Sequence, residues 1–130
     1  MQINISSKEG VPIYMQIVQQ VKHLVASGRL RAGEEIPTIR GLAEELVVNP
    51  NTVARAYLEL ERDGVVVKRH GTGTYIADPV RVMPQRDRIK ILRQRVDLLV
   101  TEARHLGVEL DELIKLVRER NAILARELRK

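Results

Sequence analysis

Asn49-Pro50-Asn51-Thr52-Val53-Ala54-Arg55-Ala56-Tyr57 is the stretch whose reading decides the fold. Asn49 has the side-chain oxygen that an N-cap needs to accept from an unpaired amide of the first helical turn. Pro50 then falls at the first helical position, where its missing N–H costs nothing and its fixed φ suits the helix. Val53, Ala56, Tyr57 and Leu60 recur at helical spacing, and Gly64 stands where a left-handed C-terminal cap belongs. This leaves Asn51, Thr52, Arg55 and Glu59 on the opposite face. Any well-capped amphipathic helix would show as much. Polar residues at the start of a short helix behind a tight turn are also how a recognition helix meets base edges. The flanking segments decide between the two.

Upstream, Ile13, Ile17, Val21, Leu24 and Val25 form one stripe of a helix that begins at Pro12 and ends at Gly28. Arg29–Pro37 is expected to be a loop, with Gly33 and Pro37 as turn formers. Thr38 can cap a second helix that turns Ile39, Leu42, Ala43 and Leu46 inward and Arg40 outward. Val47-Val48 connects it to the helix at Pro50, so the pair is predicted to be a helix-turn-helix, without the Gly often found in the turn. Downstream, Val65–Arg69 is β-branched and strand-like, His70-Gly71-Thr72-Gly73 is a turn, and Thr74–Ala77 returns as a second strand. A helix, a helix-turn-helix and a β-hairpin in that order make a winged helix-turn-helix. Lys68, Arg69 and His70 gather at the hairpin tip, although a solvent-exposed turn histidine is the plainer account of His70. Met1–Gly10 has no usable period and is expected to be a flexible lead-in.

Residues 1–78 are therefore expected to form the winged domain and 79–84 a linker, because Asp78–Pro84 contains two prolines and no persistent pattern. Residues 85–130 turn helical again. Ile89, Leu92, Val96, Leu99, Ala103 and Leu106 form one stripe at near-heptad spacing, Gly107 breaks it, and Leu110, Leu113, Ile114, Val117, Leu124 and Leu128 form a second. Asn121 interrupts the second stripe where an apolar residue was due. Two helices around one Gly predict an antiparallel hairpin, which cannot bury both stripes alone. The expected partner is the same hairpin of a second chain, giving a homodimeric four-helix bundle through Leu92, Val96, Leu99, Leu106, Leu110, Leu113, Val117 and Leu124. The fold class is thus mainly α with a small β-hairpin.

Composition narrows the function. At 130 residues, 44% apolar and 30% charged, the chain is an ordinary globular length and mixture. Its only aromatics are three Tyr, so the core must be aliphatic. The net charge of +5 is uneven: residues 1–78 hold 9 Lys/Arg and 9 Asp/Glu, whereas 79–130 hold 13 and 8. Overall charge therefore says nothing about the winged part. Arg81, Arg86, Arg88, Lys90, Arg93 and Arg95 oppose only Asp87, either as a solvated helical face or as a track for DNA phosphates. Cys is absent, and His23, His70 and His105 lack ligand spacing, so no metal or cofactor is expected. No phosphate loop or nucleophile elbow is present, and Glu34-Glu35 and Glu44-Glu45 read as surface charges rather than an acid and base. The chain is not expected to be an enzyme. The lack of an aromatic platform disfavours RNA. With no membrane span or signal peptide, a cytoplasmic protein is the simplest expectation.

Gly28, Gly33, Pro37, Arg40, Leu42-Ala43 and Leu46, then Asn49-Pro50-Asn51-Thr52-Val53, Gly64 and Gly71-Thr72-Gly73-Thr74, together resemble the GntR family of bacterial transcription regulators. Pro12-Ile13-Tyr14, Gln16-Ile17 and Ala56-Tyr57 are similar to its YtrA-type subfamily, whose C-terminal region is also a short pair of helices. The resemblance covers about Pro12–Ala77. It implies that Arg40 contacts DNA, that Asn51, Thr52 and Arg55 lie on the recognition helix, and that His70-Gly71-Thr72 is the wing tip in the minor groove. Thr38, Asn49 and Arg69 complete the candidate DNA-binding set. Pro50 and Ala54 stand where many relatives carry Arg, so their operator sequence does not carry over.

Chemically, Arg40 offers a bidentate fork for guanine O6/N7 or a phosphate, and Asn51 has the donor–acceptor pair that reads adenine N6/N7. Thr52 can bond a phosphate or present its methyl to thymine. One subunit has too few such contacts for specificity, whereas a dimer on two palindromic half-sites has enough. The expectation is a sequence-specific, double-stranded DNA-binding transcription regulator. It would repress an operon near its own gene, which the resemblance implies is transporter-related. The alternative is a winged-helix protein-interaction module. A small-molecule effector is not named by the sequence.

Overall fold

Ile13, Ile17, Val18 and Val21 lie on one side of helix α1 (Ile13–Ala26), and the last three are fully or almost fully buried. The structure is a computed structural model that describes residues 1–7 and 10–128, and their side chains except at 81, 82, 127 and 128. The side chains of Arg81 and Leu128, both in the expected patterns, lie outside that description. The chain divides into two compact units, Met1–Asp78 and Pro79–Lys130.

In the first unit, α1 is followed by strand β1 (Glu35–Ile36), α2 (Ile39–Leu46), α3 (Pro50–Arg62), β2 (Val66–Arg69) and β3 (Gly73–Ile76). Leu42 and Ala43 of α2, Val53, Ala56, Tyr57 and Leu60 of α3, and the sheet residues Ile36, Val66 and Ile76 close one core with α1, which is not wholly aliphatic as expected because the Tyr57 ring is fully buried in it. Both helix starts expected from the sequence form as capped turns. Thr38 Oγ1 accepts from the Gly41 amide at 2.9 Å, and Asn49 Oδ1 accepts from the Asn51 amide at 2.8 Å. Each such cap contributes about 1 kcal/mol. Gly64 has φ +74° beyond the end of α3, a conformation costly for a side chain. Lys22 of α1 pairs with Asp63 at that same end, 2.6 Å away.

Three further expectations need correction. Arg29–Pro37 is not wholly loop: β1 pairs antiparallel with β3, so the wing belongs to a three-stranded sheet of order β1-β3-β2. A two-residue strand leaves no periodicity to read, and its pairing partner lies about forty positions away (Ile36 opposite Thr74). The lead-in is not loose at its start either, Lys8 and Glu9 lying outside the described residues. Ile3 is buried in the core, Asn4 exchanges hydrogen bonds with the Gln20 side chain, and buried Gln16 does the same with the Ser6 backbone. Isolated apolar positions in a polar stretch carry no period, yet two glutamine amides of α1 act as clamps on its backbone. Finally, the segment expected to be a linker contains one helical turn, α4 (Pro79–Val82).

The second unit continues with α5 (Gln85–His105) and α6 (Leu110–Leu128), joined around Gly107 as a helical hairpin. Ala103 and Leu113 are already buried in the single chain. Leu92, Val96, Leu99, Leu106, Leu110 and Val117 are exposed, Leu106 at 73% and Val117 at 52%.

The connection between α2 and α3 carries local strain. Val47, 88% exposed, sits at φ +56°, ψ +53°, the only non-glycine residue with positive φ among those described. Its amide and that of Val48 donate back to the carbonyls of Glu44 and Ala43, which holds the turn despite the strain. A left-handed β-branched residue costs roughly 1–2 kcal/mol, part of which glycine returns through its freer unfolded chain. Val47→Gly is therefore expected to stabilise the domain by about 0.5–1 kcal/mol and raise Tm by a few degrees. Thermal melting of the two proteins checks this, and an unchanged or lower Tm refutes it.

Candidate nucleic-acid interface

The entry to α2 is tied to α3 by one buried hydroxyl. Tyr57, 1% exposed, donates to the Pro37 carbonyl at 2.7 Å, directly before the Thr38 cap. Burial, and secondarily the charge of Glu45, push this phenol well above its usual pKa, so it remains a proton donor at any working pH. The start of α2, with Arg40 as its second residue, is thereby held in fixed relation to α3.

Two open grooves result. One, between the two helices, is lined by Arg40, Glu44, Val47, Asn49 and Pro50. It brings together Arg40 and Asn49, nine positions apart in sequence. Asn49 Oδ1 is occupied by its cap, which leaves the amide NH2 to face a ligand. The second groove runs between Thr38 and the wing residues Lys68–Thr74. It unites Thr38, Arg69, His70, Gly71 and Thr72 of the candidate set and adds Lys68 and Thr74, which face each other across the hairpin.

Asn51 and Thr52 line neither groove; Asn51 is exposed on the first turn of α3 and Thr52 is half-buried. Arg55 is exposed, and its guanidinium carbon stands 3.8 Å above the ring centroid of Tyr14 on α1. In the wing, the Arg69 guanidinium lies over Tyr75 at 4.6 Å. The Thr72 hydroxyl and amide both donate to the Arg69 carbonyl, each at 3.1 Å, so this side chain shapes the turn as well as lining the groove. Gly73 is favoured by its backbone: at φ +140° any side chain would be strained, whereas the Glu35 carboxylate nearby is the end of an exposed side chain that could move aside. Sequence reasoning passed over Thr74, Tyr14 and Tyr75 as ligand-facing or supporting residues, and it placed Lys68 at the hairpin tip without including it in the candidate set. Only the basic Lys68-Arg69-His70 run gave a signal, and it pointed to Lys68.

On the helical hairpin, Leu99, Leu116, Val117 and Leu124 line an apolar groove that also contains Arg120 and Asn121. No cluster of metal-ligating side chains occurs among the described residues, and no described helix is long and apolar enough to cross a membrane.

Residues 13–76 match the model of bacterial regulatory proteins of the gntR family. Over 120 residues, 92% of each chain, the protein is 36% identical to the HTH-type transcriptional repressor YtrA of Bacillus subtilis (strain 168). The crystal structure of a transcriptional antiterminator from Listeria monocytogenes EGD-e superposes with a TM-score of 0.77 at 36% identity, covering 95% of this chain and 92% of that one. The DNA-binding domain of AraR in complex with operator ORE1 superposes with a TM-score of 0.50 at 25% identity, covering 59% of this chain and 94% of that one.

Proposed function

Because the chain belongs to the gntR family of bacterial regulatory proteins, we propose that it represses transcription by binding a palindromic operator as a homodimer. The operator is expected in the promoter beside its own gene, on an operon that is transporter-related, and the protein acts in the cytoplasm. Each subunit contributes Arg40, Asn51 and Thr52 to a major groove and the wing tip to the adjoining minor groove. Thr38, Asn49 and Arg69 hold the flanking phosphates, and Arg55 follows the backbone from the recognition helix. The observation that carries this reading is the rigid helix pair itself. α3 presents a capped, polar first turn, and Tyr57 fixes Arg40 beside it.

The exposed leucine and valine faces of α5 and α6 supply the second element of the reading. Apolar side chains left in water at this density favour a second hairpin over them, each buried methylene contributing about 0.8 kcal/mol. Two subunits double the base contacts, which brings specificity within reach.

The test is titration of the purified full chain against a duplex carrying the promoter of its own gene and a scrambled duplex of equal length. The promoter duplex is expected to bind tighter, with log affinity falling about 0.9 per phosphate contact as log salt rises. Light scattering is expected to give twice the 14.8 kDa chain mass. Equal affinity for both duplexes would favour the protein-interaction module instead.

A further inference from the structure

Two of the three tyrosines in this chain carry an arginine on the ring face, and both arginines belong to the elements that the DNA reading uses. The third, Tyr57, is a core residue, and the chain has no Phe or Trp. The pairing comes from tertiary placement in both cases. Tyr14 lies in the first turn of α1 and reaches Arg55 on α3, 41 positions later. Tyr75 faces Val67 across the β-ladder, diagonal to Arg69, whose direct partner is Gly73. With no side chain at Gly73, Arg69 is free to lean along the strand onto the ring. The φ of +140° at Gly73 strains any side chain there, which keeps that position open.

Stacking by the face is a particular way to hold an arginine. The guanidinium has five N–H donors around its edge, and a ring beneath its plane uses none of them. A carboxylate partner would occupy the same donors that a phosphate or a base edge needs. Among the described residues neither Arg55 nor Arg69 is in an ion pair. Both remain exposed, over rings that are half-buried and therefore fixed. A free surface arginine loses rotamer freedom when a ligand immobilises it, and a stacked one has lost part of it already.

We propose that Tyr14 and Tyr75 are positioning residues that pre-order the Arg55 and Arg69 guanidinium groups for DNA. The proposal rests on the DNA reading above and adds to it two residues that need not touch the duplex. Removing the ring while keeping an apolar side chain, as in Tyr14→Leu or Tyr75→Leu, is expected to weaken binding to the promoter duplex about three- to tenfold. Tyr14→Phe and Tyr75→Phe keep the ring and are expected to stay within about twofold of the wild type. The decisive measurement is a double-mutant cycle, in which Tyr14→Leu adds nothing once Arg55 is Ala, and Tyr75→Leu adds nothing once Arg69 is Ala.

A full additional loss in the alanine backgrounds, or a Phe variant as weak as its Leu counterpart, overturns the proposal while leaving operator binding intact. A Leu variant with undiminished affinity overturns it as well. If the wild-type chain itself shows no preference for the promoter duplex, the DNA reading fails and this one falls with it. The two stacks lie on separate elements, so loss of folding in one Leu variant leaves the other pair to decide.

Discussion

Arg40→Ala is expected to weaken binding to the promoter duplex at least about thirtyfold. A correct base contact discriminates by roughly 1–3 kcal/mol, and a symmetric dimer loses it twice. The fold is expected to survive. Arg40 is exposed, is the second residue of α2, and takes no part in the Thr38 cap or in the Tyr57 hydrogen bond to Pro37. The same titration separates the two ligands open to this side chain. If Arg40 reads guanine, Arg40→Ala relaxes the preference between promoter and scrambled duplex with little change in salt slope. If it holds a phosphate, affinity drops for both duplexes and the slope falls by about 1 per subunit. Arg40→Lys restores binding only in the second case, because an ammonium cannot form the bidentate fork. Unchanged affinity in Arg40→Ala would remove α2 from the interface.

The second large effect is expected from Val117→Glu. Val117 is 52% exposed in the single chain, so a carboxylate there meets water and leaves the hairpin able to form. Within the proposed dimer, the same carboxylate becomes a buried charge without a partner, at a cost of about 3–5 kcal/mol for each copy. Subunit dissociation is then expected at micromolar protein, with light scattering returning a single 14.8 kDa chain. Binding to the promoter duplex should fall with it, because a lone subunit reaches one half-site only. A variant that keeps the dimer mass would place the subunit contact elsewhere. A variant that dissociates yet binds the promoter duplex undiminished would show that one subunit suffices.

Local signals were strong wherever the chain's own neighbours decide the conformation. Asn49 and Thr38 as caps, Pro50 at the first helical position and Gly64 past the end of α3 are settled within three or four residues, and all four form as read. The apolar stripes of α1, α2 and α3 were legible for a related reason: a helix repeats its inward face every three or four residues, and aliphatic residues fill most of it, with Tyr57 on α3 the aromatic among them. The family resemblance rested on the same ordered run of caps, turns and glycines. Candidate ligand-facing residues could be chosen by chemical type at the helix starts and the wing tip, where the chain is exposed on any fold of this class.

What sequence could not supply are the pairings between distant elements. β1 is two residues long, and only its hydrogen bonds to β3 make it a strand. Ile3 and Ile5 pack against the core because Gln16 and Gln20 take up the backbone beside them, and neither amide announces that role along the chain. Val47 reads as a connector residue, whereas the closing geometry of two packed helices drives it into a left-handed conformation. The tyrosine platforms under Arg55 and Arg69 belong to the same class, and so does the groove that sets Thr38 against the wing. Periodicity and capping are short-range physics, written into each segment. Whether two segments meet depends on how the whole core closes, which the chain settles only by folding.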